Sequence, residues 1–369
     1  MARRHETLSL LAGAALAIAA AQPAFAQSGW QQDWNRLVEA ANRDGKISVG
    51  GPIVPSARVF LNQHWPKAFP KIQMNYMVAG GFDWGNRVKA ERASGKYEWD
   101  IYMNGPNAVI YGLSASGVFE ELAPNFVRPD LKDPKTWRRP WNDMFLDNAK
   151  KMMAMFASPS TIWYNAQTVD PAKVDRLGIQ VLFDPAYKGR IAWNDPRTAG
   201  PGSNYAAMFY ELVGKDGLRK LIVDQETVFY SRAIQATEAL FRGKADFVIA
   251  MQLDQIPQYE KAGAKVDVRP LGTDAKTAYL GFGGAVLAIF NKAPHPNAAK
   301  LFANWILSKE VQDELSKMVR WDSTRADVAP VSPGGMRYIP GEKYVESQRE
   351  SMLARRAEAM AFIRELRPN

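Results

Sequence analysis

The sequence contains no cysteine. That removes thiol nucleophiles, thiolate metal sites, iron–sulfur clusters and disulfides together. Disulfides are needed mainly by small domains with thin cores. A chain of 369 residues builds a core without them, and its length points to two domains. Histidine is nearly as scarce, with only three residues, His5, His64 and His295. His64 stands late in a helical pattern beside Trp65, and His295 lies between two prolines; both positions suit surface or packing roles. No H-E-x-x-H, G-x-S-x-G or Walker A pattern occurs, and "GPGSNY" and "GFGGAV" both miss the G-x-G-x-x-G spacing. Nothing here argues for an enzyme, and no metal or cofactor site is expected.

Membrane-length apolar runs are also missing. Leu8–Ala21 falls short of the roughly 20 residues a span needs. Arg3 and Arg4 precede it and Ala24-Phe25-Ala26 follows, the signature of an export leader cleaved after Ala26. The arginine pair lacks the rest of a twin-arginine pattern, which favours the Sec route. No cysteine follows the cleavage site, so a lipid anchor is not expected.

The net charge is +9, and losing Arg3, Arg4 and Glu6 with the leader makes it +8. Such a charge attracts nucleic acid, membrane surfaces or small anions. The basic residues are interspersed with acids and form no nucleic-acid arm, so nucleic acid is not an expected partner.

What is present is alternation. Trp30, Trp34, Leu37, Val38 and Ala41 recur at helical spacing up to Gly45, and Lys46–Gly51 then reads as a strand. A helix from about Ser56 to Trp65, a strand over Ile72–Val78, a helix from Phe82 to Ser94 and a strand over Trp99–Met103 follow. Strands alternating with helices imply an α/β domain with a largely parallel sheet, whose ligands bind in the loops at the carboxyl ends of strands. "MMAMFASPSTIWYN" reads as a crossing into a second α/β lobe, and "AYLGFGGAVLAIF" as the return. A Pro- and Gly-rich loop, "VAPVSPGGMRYIPG", leads to a charged helical tail.

The segment "GRIAWNDPRTAGPGSNYAAMFYELVG" carries the strongest local signal. Its strand ends at Asn194, small residues follow, and Ser203 stands as N-cap of a helix ending near Gly214. Such a helix start offers free N–H donors to an anion, and Arg197 would add a bidentate contact. The same glycines would equally suit a tight connection that binds nothing.

Taken in order, "LVEAANRDGKISVGGP", "FPKIQMNYM", "KAERASGKYEWDIYM", "YKGRIAWNDPRTAGPG", "EALFRGKADFVIAM" and "GGAVLAIFNKAPHPNAAKLFANWILSKEVQDEL" resemble the periplasmic substrate-binding proteins of ABC importers. The resemblance is to the extracellular solute-binding group that includes ferric-ion-, thiamine-, phosphonate- and polyamine-binding proteins, and it runs from about Trp34 to Met318. It implies a type II two-lobe α/β fold with hinge strands, a cleft that closes on a small-molecule ligand, and delivery to a membrane permease. Residues 30–157 and 280–322 would form lobe 1, 158–279 lobe 2, and 323–369 a tail whose helix packs on lobe 2. The family default is a periplasmic monomer that does no chemistry.

Carried over onto matching positions, the resemblance implies ligand contacts from Ser56 and Arg58 after the first strand and Asn104 after the third. From the second lobe it implies Arg197, Thr198 and Gly200 at the helix start, Tyr164 near the hinge and Arg232 at another helix start. Trp84 is a possible aromatic wall, with core packing the competing role. Ferric-binding relatives carry adjacent tyrosines where this chain reads Gln252, Leu253 and Asp254, and Tyr259 is displaced; on the resemblance, Gln252 and Asp254 face the ligand from the second lobe. The expected ligand is therefore a small organic anion, carboxylate or phosphate. Ferric iron with a synergistic anion, a thiamine- or polyamine-like cation, and an enzyme on the same scaffold stand as alternatives.

Overall fold

The computed structural model describes residues 29–51, 54–160, 162–198, 200–271, 279–282, 285–332 and 338–368, without the side chains of 81, 82 and 158–160. The expected leader, residues 1–26, lies outside the described residues. Among those described, no helix is long and apolar enough to cross a membrane.

The chain opens with helix α1 (Gly29–Asp44), which the left-handed Gly45 (φ 68°) terminates. Strand β1 (Lys46–Gly51), α2 (Pro55–Ala68), β2 (Gln73–Val78), α3 (Gly81–Ala93), β3 (Ile101–Asn104) and α4 (Ala108–Ala115) follow. Proline at the first position of α2 needs no N–H there, and the Asn107 side chain caps α4 by accepting from Val109 N and Ile110 N. The short α5 (Pro129–Lys132) and β4 (Met153–Ala154) complete the outward path.

β5 (Ser158–Ser160) then leaves the first lobe, and β6 (Ile162–Asn165), α6 (Pro171–Leu177), β7 (Ile191–Asn194), α7 (Pro201–Arg219), β8 (Val228–Tyr230), α8 (Ala233–Phe241), β9 (Phe247–Ile249), α9 (Ile256–Lys261) and β10 (Val268–Leu271) build the second. β11 (Tyr279–Gly281) pairs antiparallel with β5 and returns the chain to β12 (Val286–Ile289), α10 (Pro296–Ile306) and α11 (Lys309–Val319). The last helix is α12 (Leu353–Leu366).

The first sheet has the order β2-β1-β3-β12-β4, with β1 parallel to β2 and β3, and β12 antiparallel to its neighbours. The second has the order β10-β6-β9-β7-β8, with β7 parallel to β8 and β9. Both are mixed sheets whose central strands, β3 and β12 in the first and β6, β9 and β7 in the second, are buried along their whole length, as helix-covered sheets require. Under the first sheet, Trp65 packs edge-on to Trp305 at 5.2 Å and against Phe302. In the second, Trp193 meets Phe209 and Phe229 at 5.3 and 6.0 Å.

One expected cap is displaced. α7 begins at Pro201 with Gly200 as its N-cap, which makes Ser203 the third helical residue. Proline at the first helical position fixes the start three residues earlier, and Ser203 Oγ instead exchanges hydrogen bonds with Gly200. Gly214 (φ 67°) breaks the helix where the sequence placed its end.

The tail is threaded into both lobes. Asp322–Thr324 runs beside Met155–Ala157, with Ala157 N donating to Asp322 O and Thr324 N to Met155 O. Further on, Val345 O accepts from Leu280 N of β11, and Gln348 Oε1 accepts from Phe282 N at 2.7 Å. Tyr111 of α4 donates to Gln348 O, while Ser347 Oγ donates to Asn204 O of α7 at 2.7 Å. Neighbouring residues of the tail are thus tied to opposite lobes. α12 packs on α7, burying Ala359 and Ile363, and Arg356 Nη1 donates to Asn204 Oδ1 at 2.8 Å. Burying one isoleucine of this kind contributes about 1.5–3 kcal/mol.

Candidate functional site

The segments that follow β1 and β9, at strand carboxyl ends of the two sheets, meet through Ser56 and Asp254. β1 ends in Gly50-Gly51 because two aromatic rings lie against these α-carbons. A Cβ on Gly50 would fall 2.3 Å from the Trp84 ring, and one on Gly51 would fall 2.0 Å from the Tyr76 hydroxyl. Burial pushes the Tyr76 phenol well above its usual range, against the opposing pull of Arg58.

Asn104, at the end of β3, holds this rim together. Its Nδ2 donates to Gly51 O at 3.0 Å and Ala79 O at 2.9 Å, and its Oδ1 accepts from Gly105 N at 2.7 Å. One buried amide therefore fixes the ends of β1, β2 and β3. The amide of Asn104, an expected ligand contact, thus makes three bonds within the chain.

From the second lobe, β9 runs into Ala250, a non-glycine residue in the left-handed region (φ 65°). That turn, costly for alanine, swings the chain to present Gln252 and Asp254. Gln252 N donates to Thr237 Oγ1 at 2.9 Å, leaving its side chain half-buried. Asp254 Oδ2 accepts from Ser56 Oγ of α2 at 2.9 Å and from Gln255 Nε2 at the same distance. Two residues expected to touch ligand from opposite lobes thus touch each other. Arg58 on the first side and Arg232 before α8 on the second are exposed and make no ion pair among the described residues.

Other expected contacts lie elsewhere. Trp84 is 1% exposed, packed among Trp99, Tyr102 and Phe290, so it is core rather than cleft wall. Tyr164 is buried in the second sheet beside Phe247, with the hinge formed by β5 and β11 instead.

Arg197 is bonded within its own turn and to the C-terminal tail. Its Nε and Nη2 donate to Asp195 at 3.0 and 2.8 Å, its Nη1 to Arg367 O at 3.0 Å, and its guanidinium lies over the Phe229 ring. The Asp195-Pro196-Arg197 turn brings carboxylate and guanidinium together before any ligand is needed. Burial alone would raise the Asp195 carboxyl, but the Arg197 hydrogen bonds outweigh it and hold Asp195 below its usual range. Thr198 Oγ1 donates to Asp195 O at 3.2 Å. At the helix start itself, Gly200 N donates to Ser203 Oγ and Gly202 N to Asn194 Oδ1, so donors expected for an anion are taken by the chain. Gly202 is confined there, since a Cβ would lie 1.9 Å from Asn194 O.

Among the described residues no three His, Asp or Glu side chains converge on a metal position. Tyr259 stacks on Phe241 at 4.4 Å, and burial raises its phenol. Two open depressions, of about 450 and 210 Å³, lie away from the strand-end loops, beside Pro66 and Met74 and beside Asp147 and Arg349.

Sequence reasoning missed Ala250, because alanine carries no signal for a left-handed turn. It also missed Asp195 as the partner that intercepts Arg197; the two-residue spacing across Pro196 was the available sign.

Solved structures share this architecture. The ferric binding protein of Campylobacter jejuni superposes with a TM-score of 0.67 at 16% identity, covering 87% of this chain and 99% of its own. Iron-bound HitA of Pseudomonas aeruginosa gives 0.63 at 16% identity, with 87% and 99% covered. AfuA of Actinobacillus pleuropneumoniae, bound to fructose-6-phosphate, gives 0.65 at 16% identity, with 87% and 98% covered. No curated protein matches the sequence significantly. The sequence profile of the bacterial extracellular solute-binding proteins matches residues 50–313, most of the chain, and the chain belongs to that family.

Proposed function

We propose that the mature chain, residues 27–369, is the periplasmic binding component of an ABC importer and captures a small organic anion, carboxylate or phosphate. It acts as a monomer, performs no reaction, and hands its cargo to the membrane permease. The observation that carries the anion reading is the pair Arg58 and Arg232. These exposed guanidiniums follow β1 and β8, at strand ends of opposite lobes, without carboxylate partners among the described residues. A guanidinium on each rim closes on a carboxylate or phosphate with charge-assisted bonds of roughly 1.5–3 kcal/mol each. One relative of this fold holds fructose-6-phosphate, a ligand of this charge class.

Iron is the competing cargo, since other relatives of the fold bind it. Against it stand Gln252 and Leu253 in place of tyrosines, and an Asp254 already bonded to Ser56. Native mass spectrometry of the mature chain from a periplasmic extract separates the two. An added small organic acid or phosphate ester supports the anion reading; added iron overturns it. Loss of that added mass in the Arg58→Gln and Arg232→Gln variants would assign the anion to this pair.

A further inference from the structure

At the end of the first sheet opposite the strand carboxyl ends lies a surplus of positive charge that cargo capture does not use. β1, β2 and β3 start there, β12 finishes there, and α1, α2 and α3 end beside them. The segments concerned, residues 43–48, 67–73, 87–100 and 291–297, carry nine lysines and arginines. Against these stand four carboxylates, Asp44, Glu91, Glu98 and Asp100, each counted at full charge. The surplus of five exceeds half of the mature chain's +8. Glu120 and Glu121 lie farther in, level with the strands, where Glu120 N donates to Ile289 O.

Four exposed lysines form a row across this end. Lys46 opens β1 and pairs in register with Gln73, two residues beyond Lys71. Asp100 N donates to Ser48 O and Phe290 N to Asp100 O, so the turn at Lys96 and then Lys292 continue the row. Neighbouring strands stand about 4.8 Å apart, so the row is only about 15 Å wide. None of the four makes an ion pair among the described residues. Cations at helix carboxyl ends serve the helix dipole, which accounts for Arg43, Lys67 and Arg92 but not for these. Tyr97 stands among them, 36% exposed, with its ring centre 5.1 Å from the Arg92 guanidinium carbon and 5.0 Å from Lys292 Nζ. The open depression of about 450 Å³ indents the same end, lined by Leu61, Pro66, Ile72 and Met74 with Lys71 beside them.

We propose that this end of the first lobe is a docking surface for an anionic phospholipid bilayer. The row of lysines meets the lipid phosphates, and each cation near such a surface adds to the attraction. Tyr97, a ring with a polar tip, sits at headgroup level, where tyrosine is enriched. The depression offers apolar side chains to the glycerol end of one lipid while Lys71 holds its phosphate. A free phosphate ion would engage one or two of these lysines, whereas a bilayer engages the whole row. The strand carboxyl ends point the other way, so the docked protein keeps its cleft free and the surface stands whatever the cleft holds.

The test is co-sedimentation of the mature chain with vesicles of phosphatidylglycerol and phosphatidylcholine, beside vesicles of phosphatidylcholine alone. Binding to the anionic vesicles only is expected, and it should weaken as sodium chloride rises from 50 to 300 mM (about 14 to 6 Å of screening length). The triple variant Lys46→Glu/Lys71→Glu/Lys292→Glu should bind about tenfold or more weakly. Lys220→Glu/Lys244→Glu/Lys265→Glu, which makes the same charge change at exposed positions of the second lobe, should stay within about threefold of the wild type. Equal losses in the two triple variants would mean that net charge alone drives the binding, and would overturn the surface. Equal binding to both vesicle types, or to neither, overturns it as well, and needs no variant to fold. Sodium phosphate at matched ionic strength should not release the protein; release would assign the lysines to free phosphate instead.

Discussion

Ser56 Oγ donates to Asp254 Oδ2 across 198 residues of chain, joining the first turn of α2 to the segment after β9. The bond links the two lobes directly at their facing rims. A hydrogen bond to a charged acceptor contributes about 1.5–3 kcal/mol.

Ser56→Ala should therefore shift the ligand-free protein toward an open form, by roughly tenfold or more in the open-to-closed ratio. Small-angle scattering would register a larger radius of gyration. An unchanged curve would mean that the closed arrangement is held by other contacts.

Asn104→Ala removes three bonds from one buried amide and leaves the carbonyls of Gly51 and Ala79 without their donor. The expected loss is about 1–3 kcal/mol per orphaned group, read as a lower urea midpoint, with weaker ligand binding because the rim loosens.

Arg197→Ala should lower stability and leave cargo affinity within about twofold, since the guanidinium is bonded to Asp195 and Arg367. A tenfold loss of affinity at unchanged stability would return Arg197 to the cleft.

The same pair sets an acid dependence. The Asp195 carboxyl is depressed in the folded state, so its contribution is complete above the unfolded value near ~3.9 and disappears as pH falls through the folded value. Stability measured from pH 6 down to ~2.5 should fall less steeply in Asp195→Asn than in the wild type.

Truncation after Met352 removes α12 and uncovers the face of α7 on which Ala359 and Ile363 pack. Several kcal/mol of apolar burial are lost, of the order of 1.5–3 for Ile363 alone. Limited proteolysis should cut the second lobe first.

Periodicity made the framework legible. Helical spacing at Trp34, Leu37 and Ala41 and alternation through Met74 and Tyr76 found α1 and β2 within a residue or two, and the crossing at 152–164 fell on β4, β5 and β6. Side-chain direction was not legible, because it depends on neighbours far along the chain. Trp84 turns inward because Gly50 leaves room for its ring, and Asn104 turns to the carbonyls of two other strands. Arg197 shows a third reason: a ligand-like partner two residues away satisfied it first. Ser56 and Asp254 were placed on facing rims, and their contact emerges only from how the two lobes meet.

The tail's position has a mechanical consequence. Two strands alone would let the lobes both bend and swivel about the ribbon, like a ball joint. A third pass, with Ser347 held by α7 and Gln348 by α4 and Phe282, resists the swivel and leaves the bend. A bend restricted in this way would bring Ser56 back to Asp254 in one alignment whenever the rims meet.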